Sequence, residues 1–333
     1  MARLTRIGIG ILGAGAMGTA HAAAYAGIAE ATVVGVFSRD RARARSAAAI
    51  CNAEPFSDAA ALMENAAVDA IDVCLPSAVH HTFVVPALDA GKHVFCETPL
   101  AVRLDAARQM LAAARRADRL LQVGLLVRSL AAYAHIKAMV SSGEHGRLLS
   151  VATSRLGSYL HRDAPDHKAH YSDPATELMT FDFDFIQWVM GPPARLSASA
   201  ARTNAGIAGE ISVLLSYQDG RHATVVASGL MPPGFPFTVG FRALFEGAAF
   251  EHQAIFENGP PKSTFTILAG NARPQPVATA ARDPYQAELQ RFVDCIRGRA
   301  DPELLDAERA IEALALSAAT QRALDEGRSI AIG

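Results

Sequence analysis

Six residues, Gly13-Ala14-Gly15-Ala16-Met17-Gly18, constrain this chain more than any other stretch of it. They follow the apolar run Ile7–Leu12 and open the Ala-rich segment Ala16–Ala26, after which Thr32–Phe37 returns to β-branched residues. A strand, a glycine turn, a helix and a second strand within about 30 residues form the arrangement in which G-x-G-x-x-G holds a pyrophosphate. Gly13 permits the tight turn, Gly15 lets the backbone approach the phosphates, and Gly18 lets helix and strand pack closely. The helix start adds free N–H groups and the positive end of a dipole. Gly13, Ala14, Gly15, Ala16, Met17 and Gly18 are therefore predicted to bind a dinucleotide.

The end of the second strand, Val36-Phe37-Ser38-Arg39, bears on which dinucleotide. NAD sites usually place an acidic residue there, on the ribose hydroxyl, whereas NADP sites supply an arginine. Ser38 can donate to a phosphate oxygen and Arg39 or Arg41 can pair with its charge. NADP is thus favoured over NAD. Asp40 remains available to a hydroxyl, and Arg39, Arg41, Arg43 and Arg45 also read as a solvated helix face.

At 333 residues the chain exceeds the roughly 250–300 at which one core stops growing, so two domains are expected. Residues 1–123 alternate β-branched runs (Ile7–Leu12, Thr32–Phe37, Ala70–Leu75, His93–Cys96, Leu120–Gly124) with helical segments (Ala16–Ala26, Arg41–Ile50, Ala59–Glu64, Val79–Ala90, Asp105–Arg116). That alternation predicts an α/β Rossmann dinucleotide-binding domain with a parallel sheet. Helix Leu130–Ser141 follows. From Leu148 the period changes to strand alternation, with one helix over Ala175–Met190, a hairpin turn at Gln218-Asp219-Gly220-Arg221, and helices Pro284–Arg297 and Pro302–Glu326. Residues 124–333 are expected to form an α+β domain with a large, mainly antiparallel open sheet, used for substrate binding and oligomerisation.

The formal charge of −2, with both signs interspersed, gives no reason to expect nucleic acid or an anionic membrane. No stretch reaches the roughly 18–20 apolar residues of a membrane span. Cys51, Cys74, Cys96 and Cys295 lack close pairing and zinc or redox spacing, and read as free thiols of a cytoplasmic protein.

Four stretches together resemble the Gfo/Idh/MocA family of oxidoreductases. They are the glycine loop with the following His21, Asp72-Val73-Cys74-Leu75-Pro76-Ser77-Ala78-Val79-His80, Ala87 to Ala101, and Asp184-Phe185-Ile186-Gln187-Trp188-Val189-Met190-Gly191. The resemblance implies a Rossmann domain joined to an antiparallel-sheet domain that often oligomerises, here as a homodimer or homotetramer. It also implies hydride transfer at a carbinol carbon of a sugar, inositol or related substrate. Residue by residue, Pro76, Ser77 and His80 would line the nicotinamide and ribose, with Glu97 beside the nicotinamide. His80 also reads as a solvent-facing helix-start residue. Arg128 falls where the family often has an arginine, and reads equally as an exposed salt-bridging one.

The family's catalytic set does not carry over. The lysine of Glu-Lys-Pro is Thr98 here, the aspartate position holds Glu177 and the histidine position holds Phe181. A hydride leaves a carbinol only as its proton is taken, and general acid–base help is worth roughly a hundredfold to ten-thousandfold. Replacements are expected in the titratable loop Tyr159 to Tyr171, with His161, Lys168, His170 and Tyr171 as candidates beside Glu177 and Thr98. The histidine spacings of that loop match no metal signature, and no metal is expected. Two other classes stay open: a redox-neutral enzyme using nicotinamide transiently to cleave a glycoside, and a dinucleotide-binding regulatory protein without turnover.

Overall fold

The computed structural model describes residues 6–161, 173–257, 261–279 and 282–332. The chain forms two compact units, Met1–Ser129 with Arg282–Ile311 and Leu130–Ala281 with Glu312–Gly333.

The first unit holds a six-stranded sheet of β1 (Ile7–Leu12), β2 (Ala31–Phe37), β3 (Glu54–Phe56), β4 (Ala70–Val73), β5 (His93–Cys96) and β6 (Leu121–Val123), in the order β3-β2-β1-β4-β5-β6. Every pairing is parallel. Ile9, Ile11, Leu12, Val36, Ile71, Val73, Val94 and Phe95 are buried, as expected of a parallel sheet covered on both faces. Helices α1 (Ala16–Ala26), α2 (Arg41–Ile50), α3 (Ala59–Met63), α4 (His80–Asp89) and α5 (Leu104–Ala117) alternate with the strands. On α5 the buried positions Ala107, Met110, Ala113 and Ala114 make one helical stripe.

A single boundary after residue 123 assigns Arg282–Ile311 to the second domain, and here the structure differs. Helix α9 (Pro284–Ile296) starts on an Asp283 cap with Pro284 at its first turn, and buries Leu289, Phe292 and Val293 within the first unit. Its Phe292 ring lies 5.5 Å from Phe95 of β5. The apolar stripe on this helix needs a partner, and α1 and the sheet supply one. Short β3, three residues with a proline, also went unforeseen.

Among the described residues the second unit builds a nine-stranded sheet in the order β14-β13-β12-β11-β7-β10-β9-β8-β15. The strands are β7 (Leu148–Leu156), β8 (Arg195–Arg202), β9 (Ala208–Ser216), β10 (His222–Ser228), β11 (Phe237–Phe245), β12 (Ala248–Phe256), β13 (Lys262–Ala269), β14 (Gln275–Pro276) and β15 (Ile330–Ala331). All neighbours are antiparallel except β7 and β10. The β9–β10 hairpin turns where Gln218 to Arg221 predicts it, with Gly220 at φ 85°.

Helix α6 (Ala131–Ser142) places Tyr133 in an aromatic core, its ring 4.7 Å from Phe185 and 4.8 Å from Phe241. The expected helix Ala175–Met190 is two pieces, α7 (Pro174–Glu177) and α8 (Met179–Met190). Leu178 separates them, at φ −116° and ψ −52°. The last helix, α10 (Ala307–Glu326), follows a 3₁₀ turn at Pro302–Leu305 instead of continuing from Pro302. No helix among the described residues is long and apolar enough to cross a membrane.

Candidate functional site

The glycine loop joins β1 to α1. Gly13 sits at φ 118°, and a Cβ there would lie 2.4 Å from the Cys74 carbonyl oxygen. A Cβ on Gly18 would lie 1.9 Å from the Gly13 carbonyl oxygen. Both positions are closed to any larger residue by backbone. Gly15 is different, since a Cβ there meets no atom within 4 Å. It caps α1 without a side-chain bond, leaving the first amides of an 11-residue helix to whatever fills that space. Gly15 and Ala16 are exposed, Met17 is half-buried and Ala14 is buried. The donor set and the open approach fit a pyrophosphate.

At the end of β2, Ser38 is half-buried and Arg39 exposed. Asp40 is committed to α2: its carboxylate accepts from the Ala42 and Arg43 amides at 2.8 and 3.2 Å, and its own amide donates to Ser38 Oγ at 3.2 Å. Those amide bonds hold the Asp40 carboxyl below its ordinary range. An acid engaged as a helix cap is not poised for a ribose hydroxyl. A cavity of about 310 Å³ beside it is lined by Arg41, Ala44, Arg45, Pro55, Phe56 and Ser57.

The loops after β4 and β5 carry the other expected residues. Pro76 is exposed and Ser77 half-buried. His80 departs from the solvent-facing reading, for it is 1 % exposed. Its Nε2 lies 2.7 Å from the Leu75 carbonyl oxygen, and its Nδ1 lies 3.1 Å from that of Leu100 and 3.2 Å from Cys96 Sγ. Burial pushes this imidazole down while the two carbonyls oppose the shift, and the ring bridges the Leu75 and Leu100 segments. Thr98 Oγ1 donates to the Gly124 carbonyl at 2.8 Å, which commits its proton. Glu97 accepts from the Thr98 amide at 3.2 Å. Arg128 is buried, with its guanidinium donating to the Leu304 carbonyl at 2.8 Å.

Behind the loop lies a cluster of buried titratable groups. His21 of α1 is fully buried, with Nδ1 2.8 Å from Asp72 Oδ2 and Nε2 2.8 Å from Glu97 Oε1. Burial opposes a charge on His21, but Asp72 and Cys74 together outweigh it and hold the imidazole well above its ordinary range. Cys74 Sγ, 3.2 Å from His21 Nδ1, is pushed up by burial and stays a thiol. Glu288 of α9 is 1 % exposed, and burial and then the Glu97 charge push its carboxyl well up, leaving it a neutral acid. Tyr285, on the same helix, is pushed up to about 12 by burial and by Glu97.

In the second unit, half-buried Glu177 ends α7, whose first turn Asp173 caps by accepting from the Ala175 amide at 3.0 Å. Phe181 on α8 lies under the Arg155 guanidinium, 4.9 Å from ring centroid to Cζ. Arg155 pairs with buried Asp182 at 3.0 Å. His170, Tyr171 and Lys168 lie outside the described residues, as does the His161 side chain.

Two signals for these buried groups were legible. Asp72 interrupts the apolar strand Ala-Ile-Asp-Val, and Glu288 lies next to Leu289 on the buried face of α9. An acid inside an apolar pattern marks either a partner or a shifted titration.

Residues 7–125 match the family model of oxidoreductases with an NAD-binding Rossmann fold, and residues 133–247 match the GFO/IDH/MocA C-terminal domain. The chain is 28 % identical over 298 residues to inositol 2-dehydrogenase 2 of Saccharopolyspora erythraea, covering 86 % of this chain and 84 % of that protein. Among solved structures, a putative NADPH-dependent oxidoreductase from Desulfitobacterium hafniense superposes with a TM-score of 0.88 at 20 % identity over 98 % of both chains. An oxidoreductase from Agrobacterium radiobacter in complex with NAD+, L-tartaric acid and magnesium superposes at 0.79 with 19 % identity, again over 98 % of both chains. Likeness at those identities establishes the shared fold.

Proposed function

The chain belongs to the Gfo/Idh/MocA oxidoreductase family, and from that premise we propose that it transfers hydride between NADP and a sugar, inositol or related small carbonyl or hydroxyl compound. The observation that carries this reading is the glycine loop, where backbone closes Gly13 and Gly18 while Gly15 opens onto free helix amides. Bound nicotinamide supplies the hydride donor or acceptor.

The protein's own residues do the rest. Amides of Gly15, Ala16 and Met17 hold the pyrophosphate. Ser38 and Arg39 take a 2′-phosphate, and the commitment of Asp40 to its helix supports NADP over NAD. Pro76 and Ser77 line the ribose side, and Glu97 stands beside the nicotinamide. Thr98, its proton given to Gly124, supplies no charge in place of the family's lysine. Glu177 keeps a carboxylate where the family has one and takes the substrate proton, with His170 or Tyr171 assisting. The sheet of the second unit, which exposes Leu214, Leu244, Phe256 and Leu268, is the surface for a homodimer or homotetramer.

Dinucleotide binding followed by cofactor fluorescence tests the site. Gly15→Ala should fold normally and weaken binding about tenfold to a hundredfold, the worth of one or two charge-assisted hydrogen bonds. Ser38→Ala with Arg39→Ala should erase the preference for NADP. A screen of sugars, inositols and ketoses, read as cofactor oxidation or reduction, should give turnover that Glu177→Gln abolishes. Wild-type protein that binds neither dinucleotide would sink the proposal.

A further inference from the structure

The groups around His21 are more numerous than a packing role requires. From α1 come His21 and Tyr25, from β4 and the residue after it Asp72 and Cys74, from β5 and its end Cys96 and Glu97, and from α9 Tyr285 and Glu288. Phe95 and Tyr285 close on the imidazole at ring distances of 5.9 and 5.8 Å. Of the two carboxylates that face the ring nitrogens, Asp72 is fully buried and Glu97 keeps 13 % of its side chain exposed. Glu97 is also fixed from its other side. Its Oε2 accepts from the Thr98 amide, and a Cβ on Gly124 would lie 3.2 Å from that same oxygen. A side chain at that position would have to push the carboxylate aside by a few tenths of an ångström.

We propose that His21 is a positioning residue for the reaction: clamped between Asp72 and Glu97, it holds the Glu97 carboxylate against the Thr98 amide, on the stretch that meets the nicotinamide ring. This rests on the reading of the loop as a nicotinamide dinucleotide site. Nδ1 is hydrogen-bonded to Asp72 at 2.8 Å, while Nε2 lies 2.8 Å from Glu97 Oε1 as an ion-pair contact outside hydrogen-bond geometry, and a positively charged ring balances both carboxylates. Glu288, both oxygens buried without a hydrogen-bond partner among the described residues, enters the cluster as the neutral acid. The cluster then carries one net negative charge, and Glu97 is the member that brings it to the surface. A fixed carboxylate beside the ring attracts the cationic, oxidised nicotinamide and gives nothing to the neutral, reduced one. His21 thereby sets which redox state of the cofactor is held more tightly.

The test uses the whole chain labelled with ¹⁵N-histidine. In wild-type protein both His21 ring nitrogens should stay protonated from about pH 6 to 8, and Asp72→Asn should bring the ring's titration down into that range. Without the imidazolium, Glu97 takes up a proton beside the buried Asp72 carboxylate and its charge is lost, so His21→Gln should weaken binding of the oxidised dinucleotide about tenfold while changing that of the reduced form about twofold or less. If His21→Gln does not fold, Glu97→Gln serves, since it keeps the shape and removes the charge; the same selective loss is expected. Equal losses for both redox forms would overturn the proposal, as would a His21 with one bare nitrogen across this range. Stoichiometric zinc on Nε2 would overturn it too, by making the same atoms a metal site. Failure of wild-type protein to bind either dinucleotide would instead refute the site itself, and the ¹⁵N titration would still report on the clamp.

Discussion

Each unit buries an ion pair, and the two are built to opposite ends. In the second unit Arg155 and Asp182 face each other at 3.0 Å, and Arg155 also rests on the Phe181 ring. A guanidinium does not lose its proton at any ordinary pH, so this pair is a fixed charge distribution. In the first unit one histidine is shared by two carboxylates, with a neutral acid and two thiols around it. Every member of that set can in principle exchange a proton. The contrast teaches that burial alone does not decide whether a charge is structural or functional; the chemistry of the cation does.

Breaking the fixed pair should have the largest effect. Arg155→Leu leaves Asp182 buried without its partner and should cost about 3–5 kcal/mol, whereas adding Asp182→Leu should recover most of it. Urea unfolding followed at Trp188, the chain's single tryptophan, reports on this unit. A double variant no better than the single one would erase the distinction.

A pH series sharpens the comparison next. His21 and Glu288 both hold protons more tightly folded than unfolded. The stability from His21 is complete below its ordinary value of 6.5 and declines as pH rises beyond it. For Glu288 the decline begins above 4.5. Amide exchange in β4 and β5 should therefore quicken between about pH 7 and 9 more than hydroxide alone dictates, while the Trp188 transition stays level. Glu288→Gln should match wild type near pH 4.5 and exceed it increasingly as pH rises toward 9; an unchanged profile would place the titration elsewhere.

The smallest effect belongs to His80, whose shift has the other sign. Because its folded form binds the proton less well, its contribution is complete above 6.5 and fades as pH falls below. His80→Gln should flatten the acid side of the same exchange profile and leave the alkaline side alone.

The sequence announced the fold through its periods. β1, β5, α1 and α2 fall on the predicted residues because apolar β-branched runs and Ala-rich helical runs alternate there. β3 was invisible since Glu-Pro-Phe is too short to show any period, and its place comes from pairing with β2. The return of α9 to the first unit depends on contacts far along the chain, which no local window contains. The site divided in the same way. Gly13, Gly15 and Gly18 were legible because their roles are steric and local. The burial of His80 was not legible, because a histidine opening a helix looks solvent-facing until the fold wraps Leu75 and Leu100 around it.

The nine-stranded sheet finishes at both ends in strands of two residues, β14 and β15, and β14 carries Pro276. Each covers only two residues of the eight-residue strand beside it, β14 on β13 and β15 on β8. Removing Ile330 and Ala331 would uncover Leu196 and Arg195 as well and leave all eight residues of β8 as the rim. A truncation that spares every site residue would then create a sticky margin, and the loss would show first as poor solubility.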